Sequence, residues 1–323
     1  MSRNALIEFI IISFVALVLL LIAFFSIQPM TYTHPDFNQD WDHHVYIAMA
    51  EGISVEAPFA YRVLTPWLAS HLPFDLQFNF FLITFLALWG TGIVLYYLIG
   101  RWLPDRAQLW GLVGMVAFYS LYWVVGYNLY DFWLSDALNF FLITLAFYAI
   151  IAGIDWLFAL ALLIGAFNRE AIIAAIPLYI VFRQLAQRER VKRVILLALP
   201  MLGIIICLRL FIHPIDSDYS LVTYFRNYGL TRLVSLPFEM NLYTLAPFGL
   251  LFIAPLLTPM ASMRLMLKFT PFLLVCYGQL LIANNTERLV ALAFPAFIIM
   301  SVTALKNSIP LGFQRLMLAL SHS

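Results

Sequence analysis

Apolar runs recur along this chain at lengths that commit it to a lipid bilayer. The first, Ala5–Ile27, exceeds the roughly 20 apolar residues that a helix needs to cross a hydrocarbon core, and Glu8 is its sole charged residue. Further runs follow at Phe78–Ile99, Leu109–Val125, Ala137–Ile154, Val194–Ile212, Leu242–Leu257, Phe269–Ile282 and Leu289–Leu305. A backbone in hydrocarbon must satisfy its N–H and C=O groups internally. The expected fold is therefore all-α, a polytopic transmembrane helix bundle forming a single membrane domain over 1–323. Composition agrees: 63% of residues are hydrophobic and 11% charged, against about a quarter charged in soluble domains. A formal net charge of +1 gives no electrostatic footprint for nucleic acid. The two cysteines, Cys207 and Cys276, lie in apolar runs and read as small buried hydrophobes.

The segment 156–182 breaks the pattern. Two short apolar pieces, Trp156–Phe167 and Ala171–Phe182, flank Asn168-Arg169-Glu170, and neither is long enough to span. The densest basic run, Arg183–Arg193, belongs in the cytoplasm by the positive-inside rule. Asp155 must then share that side, so the short pair either crosses twice or re-enters. This gives about ten passes, two of them short or re-entrant, with both termini cytoplasmic and a cytoplasmic tail at 306–323. The long connections, 28–77 and 213–241, fall outside, and long loops usually carry function. The first holds two helical pieces, His43–Glu51 and Phe59–His71, expected along the membrane surface, with Pro66 expected to kink the second.

Candidate chemistry begins in that loop. His34-Pro-Asp36-Phe-Asn-Gln-Asp40-Trp-Asp42-His43-His44 is dense in carboxylates and imidazoles. Asp40 and Asp42 can share a divalent cation, joined by His43, or one can take a proton from an attacking hydroxyl. The plain alternative is that one of them caps the following helix. Asp131 and Asp136 form a second acidic site, where Asp136 heads an inward-running helix whose macrodipole favours negative charge. Arg169 and Glu170 would cost several kcal/mol in lipid, so they should line a cavity, whether as a structural ion pair or as a working one. Arg62, Arg226, Arg232 and Arg288 add guanidinium forks suited to phosphate oxygens.

Three segments carry a family resemblance: Asp40-Trp-Asp42-His-His-Val-Tyr with Pro58-Phe-Ala-Tyr-Arg-Val-Leu-Thr-Pro-Trp in the first outer loop, Ser135-Asp136-Ala-Leu, and Glu287-Arg288-Leu-Val-Ala-Leu-Ala-Phe-Pro295. In these, and in topology along the whole chain, the sequence resembles the GT-C superfamily of polytopic glycosyltransferases. The resemblance implies a bacterial inner (plasma) membrane protein of the cell envelope. It would transfer a sugar from a polyprenyl-phosphate donor to a hydroxyl-bearing acceptor (glycan, lipid or protein) on the outer side. It implies Asp40 or Asp42 as catalytic base or metal ligand, Asp136 as a second acidic group, and Arg288, beside Glu287, holding the donor phosphate. Asn168-Arg169-Glu170 has no family role. Two other readings of the same scaffold are a transporter or flippase of lipid-linked or anionic substrates and a non-catalytic assembly subunit.

Overall fold

The computed structural model describes residues 3–39, 41–215, 225–226, 248–281 and 286–308. Among these residues the secondary structure is helical throughout, apart from one isolated bridge between Glu56 and Ile215. Four helices are long and apolar enough to cross a membrane: α1 (Arg3–Phe25), then α4 (Leu76–Trp102), α10 (Gln187–Phe211) and α12 (Pro259–Gly278). Between α1 and α4 lie α2 (Asp42–Ala50) and α3 (Leu64–His71).

The run at Leu109–Val125 is not one straight pass. Helix α5 (Ala107–Tyr119) gives way to a π-type turn, Tyr122–Gly126, and to the short α6 (Tyr127–Tyr130), and the two halves are bent by 65°. The bend falls at Ser120 and Leu121; Gly126 lies within the second half, where a Cβ would stand 2.7 Å from the Tyr122 ring. Counted together, the bent pair makes a fifth candidate span. Three shorter apolar pieces follow: α7 (Asp136–Ala152), α8 (Asp155–Asn168), and a 3-10 turn running into α9 (Ala175–Phe182). Beyond α10 come α11 (Leu250–Ile253), α13 (Thr286–Ala291) after α12, and α14 (Phe294–Ser308).

Helix α4 is the central post, packing chiefly on α5 and α7, while α7 in turn packs on α8. Small residues let these helices close up in the absence of a strong hydrophobic drive between helices in lipid. A Cβ at Gly114 of α5 would lie 2.2 Å from Ile99 of α4. The pair α8 and α9 folds back on itself as a hairpin. Gly165 permits that closure, since a Cβ there would lie 2.5 Å from Ile172. At the open end of the hairpin Asp155 pairs with Arg183 and with Arg193, each at 3.1 Å. That juxtaposition is the one required by placing Asp155 beside the basic run. It sets the turn at Asn168–Glu170 at the opposite end of the bundle.

The first loop is a plug in the mouth of the bundle as well as a surface feature. A second core forms there from Met30, Tyr46, Ala69, Phe80, Ile83, Phe132, Trp133 and Leu134. The aromatic turn after α6 holds it: the Trp133 indole donates to the Met30 carbonyl at 2.8 Å, and Thr84 donates to the Phe132 carbonyl at 2.9 Å. The Tyr130 hydroxyl donates to Asp36. Pro66 does not kink α3. It occupies the first turn, where a missing N–H costs nothing, and the break falls instead at Arg62 and Val63, between a 3-10 turn at Phe59–Tyr61 and α3. Most of 213–241 and of the tail lies outside the described residues.

Candidate functional site

Asp42 and Asp136 both stand at the first position of a helix, α2 and α7, with Trp41 and Ser135 as the capping residues. Neither is therefore an N-cap. The acidic charge suits the dipole of each first turn, yet both side chains reach outward to the same partner. Arg288 of α13 donates from Nη1 to Asp42 Oδ2 at 2.6 Å, and from Nη2 and Nε to Asp136 Oδ2 at 2.7 and 3.0 Å. Three segments far apart in the chain thus meet on one guanidinium. Arg169 joins them from the hairpin turn by pairing with the other oxygen of Asp136. Asp136, Arg169 and Arg288 are all buried.

A second layer surrounds this core. Arg62 donates to the Tyr46 hydroxyl at 3.1 Å, and Tyr46 shares a 3.0 Å hydrogen bond with Ser135 beside Asp136. Arg62 also lies 3.8 Å from Glu170, which accepts from Arg209 at 3.3 Å. Arg209 stacks over the Tyr61 ring at 4.9 Å. Asn168 ties the layers together: its amide nitrogen donates to the Ser135 carbonyl at 2.9 Å, and its oxygen accepts from Thr65 of α3 at 2.7 Å. The first loop, the head of α7 and the hairpin turn are therefore one hydrogen-bonded unit.

The electrostatics are crowded. Arg62, Arg169 and Arg288 are close enough to repel one another, and such a cluster persists only because Asp42, Asp136 and Glu170 are interleaved with it. A fourth carboxylate, Asp131, is buried nearby. It accepts from the Trp133 backbone N–H, while its Oδ1 has no hydrogen-bond partner among the described residues. Burial pushes its carboxyl up to about 7, with the facing Arg288 opposing the rise and Asp42 adding to it. Four guanidiniums, counting Arg209, thus face Asp42, Asp136 and Glu170, with Asp131 beside them. A narrow cleft lined in part by Asp136, Asn139, Arg169, Gln279 and Arg288 leads into the cluster and is closed to a molecule as small as water. Entry of any ligand must separate ion pairs.

Other expected site residues fare differently. Asp40, Arg232 and Asn284-Asn285 lie outside the described residues, and Glu287 is placed only as backbone in α13. Arg226 is exposed, and none of the ion pairs described for the cluster involves it. His43 is buried, with Nε2 at 2.9 Å from the Phe37 carbonyl, and burial lowers its imidazole from the ordinary value so that it is neutral at pH 7. Of the residues expected to hold a metal, Asp40 lies outside the described residues, Asp42 Oδ2 accepts from Arg288, and His43 Nε2 lies against the Phe37 carbonyl. Among the described residues no three His, Cys, Asp or Glu side chains are grouped to hold an ion.

Tyr46, Thr65 and Ser135 lie in segments that the sequence brought forward, but with no role assigned, and Arg209 was not singled out. Arg209 had one available signal, as the last charge of a long apolar run that ends beside the second outer loop. No protein-family model matches this chain, and no curated protein matches it either.

Proposed function

We propose that the chain is a GT-C-like glycosyltransferase taking a sugar from a polyprenyl-phosphate-linked donor at the non-cytoplasmic end of its bundle. In this reading it crosses a bacterial plasma membrane about ten times, with both termini cytoplasmic and the α8–α9 hairpin contributing two short passes. The observation that supports it is the meeting of Asp42, Asp136, Arg169 and Arg288, from four distant segments, at one closed cleft in an apolar helical protein.

The closed ion pairs suggest how the reaction starts. A donor phosphate presents the same bidentate oxygen pair that Asp42 and Asp136 now offer to the guanidiniums. Binding of the phosphate to Arg288 releases Asp42, the more exposed of the two carboxylates, with Asp40 two residues away in the same loop. The freed carboxylate accepts the proton of the acceptor hydroxyl as that oxygen attacks the anomeric carbon. The bond from that carbon to the phosphate oxygen breaks, and the lipid phosphate departs with its added charge held by Arg288, Arg169 and Arg62. Such preorganised charge stabilisation is worth about 10²–10³-fold per group. A single displacement inverts the anomeric centre. In this reading arginine carries the charge neutralisation.

The test is transfer from a polyprenyl-phosphate sugar in reconstituted bilayers. Asp40→Asn or Asp42→Asn, and Arg288→Lys, are expected to lower turnover by about 10²-fold or more while folded protein remains. A chelator is expected to leave turnover unchanged. Full turnover in both aspartate variants would remove the assignment of the base. The bend of 65° between α5 and α6, together with the short hairpin, favours one rival, a transporter or flippase of lipid-linked anions, since broken helices mark transport sites. Movement of the labelled donor across the bilayer without chemical change would decide for that rival.

A further inference from the structure

At the opposite end of the bundle a second polar site lies in the flank of the membrane domain. Glu8 stands on α1, and a carboxylate on a spanning helix is costly unless something faces it. The Tyr96 hydroxyl of α4 donates to Glu8 Oε1 at 2.8 Å. Beside this pair is a cavity of about 390 Å³, with Asn4, Glu8, Tyr96 and Gln108 as its polar lining and Ile7 and Ile11 among its apolar lining. No lysine or arginine lines it. The volume is within the range of small-ligand pockets.

Position says what can enter. Asn4 and Gln108 are each the second residue of their helices, and Glu8 lies about 8 Å along α1 from Arg3. The polar lining is therefore at the level where headgroups meet hydrocarbon, and Ile11 and Leu112 continue it deeper. Ile7 and Ile11 are 46% and 54% exposed, so the cavity opens sideways along a helix flank that faces lipid. An occupant needs a polar head at this level and an apolar body below it.

Chemistry narrows the head further. One carboxylate, a phenol oxygen and two carboxamide oxygens supply acceptors around a single negative charge, and three N–H donors on one cation satisfy such a set. A quaternary ammonium has no N–H to give, and an anionic headgroup meets Glu8 with like charge. Arg3, exposed, precedes Asn4 at the same end of α1 without lining the cavity. We propose that this cavity binds a phospholipid with a primary-ammonium headgroup, the ammonium pairing with Glu8. The proposal does not rest on the transferase reading.

The test uses the full chain in nanodiscs of mixed ethanolamine- and choline-headgroup phospholipids, with the lipids retained after detergent extraction read by native mass spectrometry. The expected result is about tenfold enrichment of the ethanolamine lipid over the bulk ratio, the scale of one charge-assisted hydrogen-bond set. Glu8→Gln should return retention to the bulk ratio, and Tyr96→Phe, which keeps the charge, should lower the enrichment only in part. Retention at the bulk ratio by the unmodified protein, or undiminished enrichment in Glu8→Gln, would overturn the proposal. Should Glu8→Gln fail to fold, free ethanolamine at millimolar concentration is the second arm. Enrichment that persists in its presence supports a lipid occupant, and its loss would show that a soluble amine suffices.

Discussion

Each end of this bundle carries a carboxylate held between two arginines, and the two clusters do opposite kinds of work. At the basic end Asp155 is 24% exposed and meets Arg183 and Arg193, the latter 43% exposed, from neighbouring stretches of chain. At the other end Asp136 is 4% exposed and meets Arg169 and Arg288, each 7% exposed, with Arg288 drawn from far along the sequence. The first is a wet staple on a hairpin. The second has given up its water, and desolvating that many charges costs more than a structural clasp between helices would justify. An expensive cluster built where a cheap one would hold the helices is the feature on which the proposal of an incoming anion rests.

The sharpest way to break this contrast is Asp136→Ala, which leaves two buried guanidiniums without their shared partner. A loss of about 3–5 kcal/mol is expected, read as thermal unfolding in detergent. Replacing Asp136, Arg169 and Arg288 together by apolar residues of similar volume should recover most of that loss and still transfer nothing. Asn168→Ala is the next largest. It orphans Thr65 and the Ser135 carbonyl, at about 1–3 kcal/mol, and should loosen protease resistance of the first loop together with that of the hairpin turn.

Asp131 sharpens the comparison through pH. Its folded value near 7 lies above the ordinary 3.8, so the native state holds a proton that the unfolded chain has released. The stability it contributes is full below about pH 4 and is lost as pH rises to 7. Asp131→Asn should flatten that slope in a denaturation series. The smallest effect belongs to the basic end: Asp155→Asn should cost about 0.2–1 kcal/mol per exposed pair and less in high salt.

The helical, apolar character of the chain and the placing of Asp155 on the side of the basic run were legible from charge in apolar surroundings. Burial of charge is a strong constraint that sequence displays directly. The bend after Tyr119 was not legible, because Leu109–Val125 has the length and hydropathy of one straight helix and neither Ser120 nor Leu121, where it breaks, is a helix breaker. Nor was the shared guanidinium. Arg288 was an expected phosphate ligand, but its bridging of Asp42 and Asp136 depends on how α2, α7 and α13 converge, and no local pattern encodes that meeting. Pro66 misled for a related reason: its meaning depends on where the helix starts, and α3 begins at Leu64, which puts Pro66 in the first turn.

The hairpin formed by α8 and α9 has a consequence for how a lipid-borne substrate would be met. Its first arm has 14 residues and rises about 21 Å, against a hydrocarbon thickness of about 30 Å. With Asp155 at one water boundary, Arg169 stands roughly 9 Å short of the other. The charged floor is then sunk below the plane of the surrounding headgroups. On the proposed reading, a long isoprenoid tail stays in the bilayer while its head slides across at its own depth, and a water-soluble acceptor has to descend.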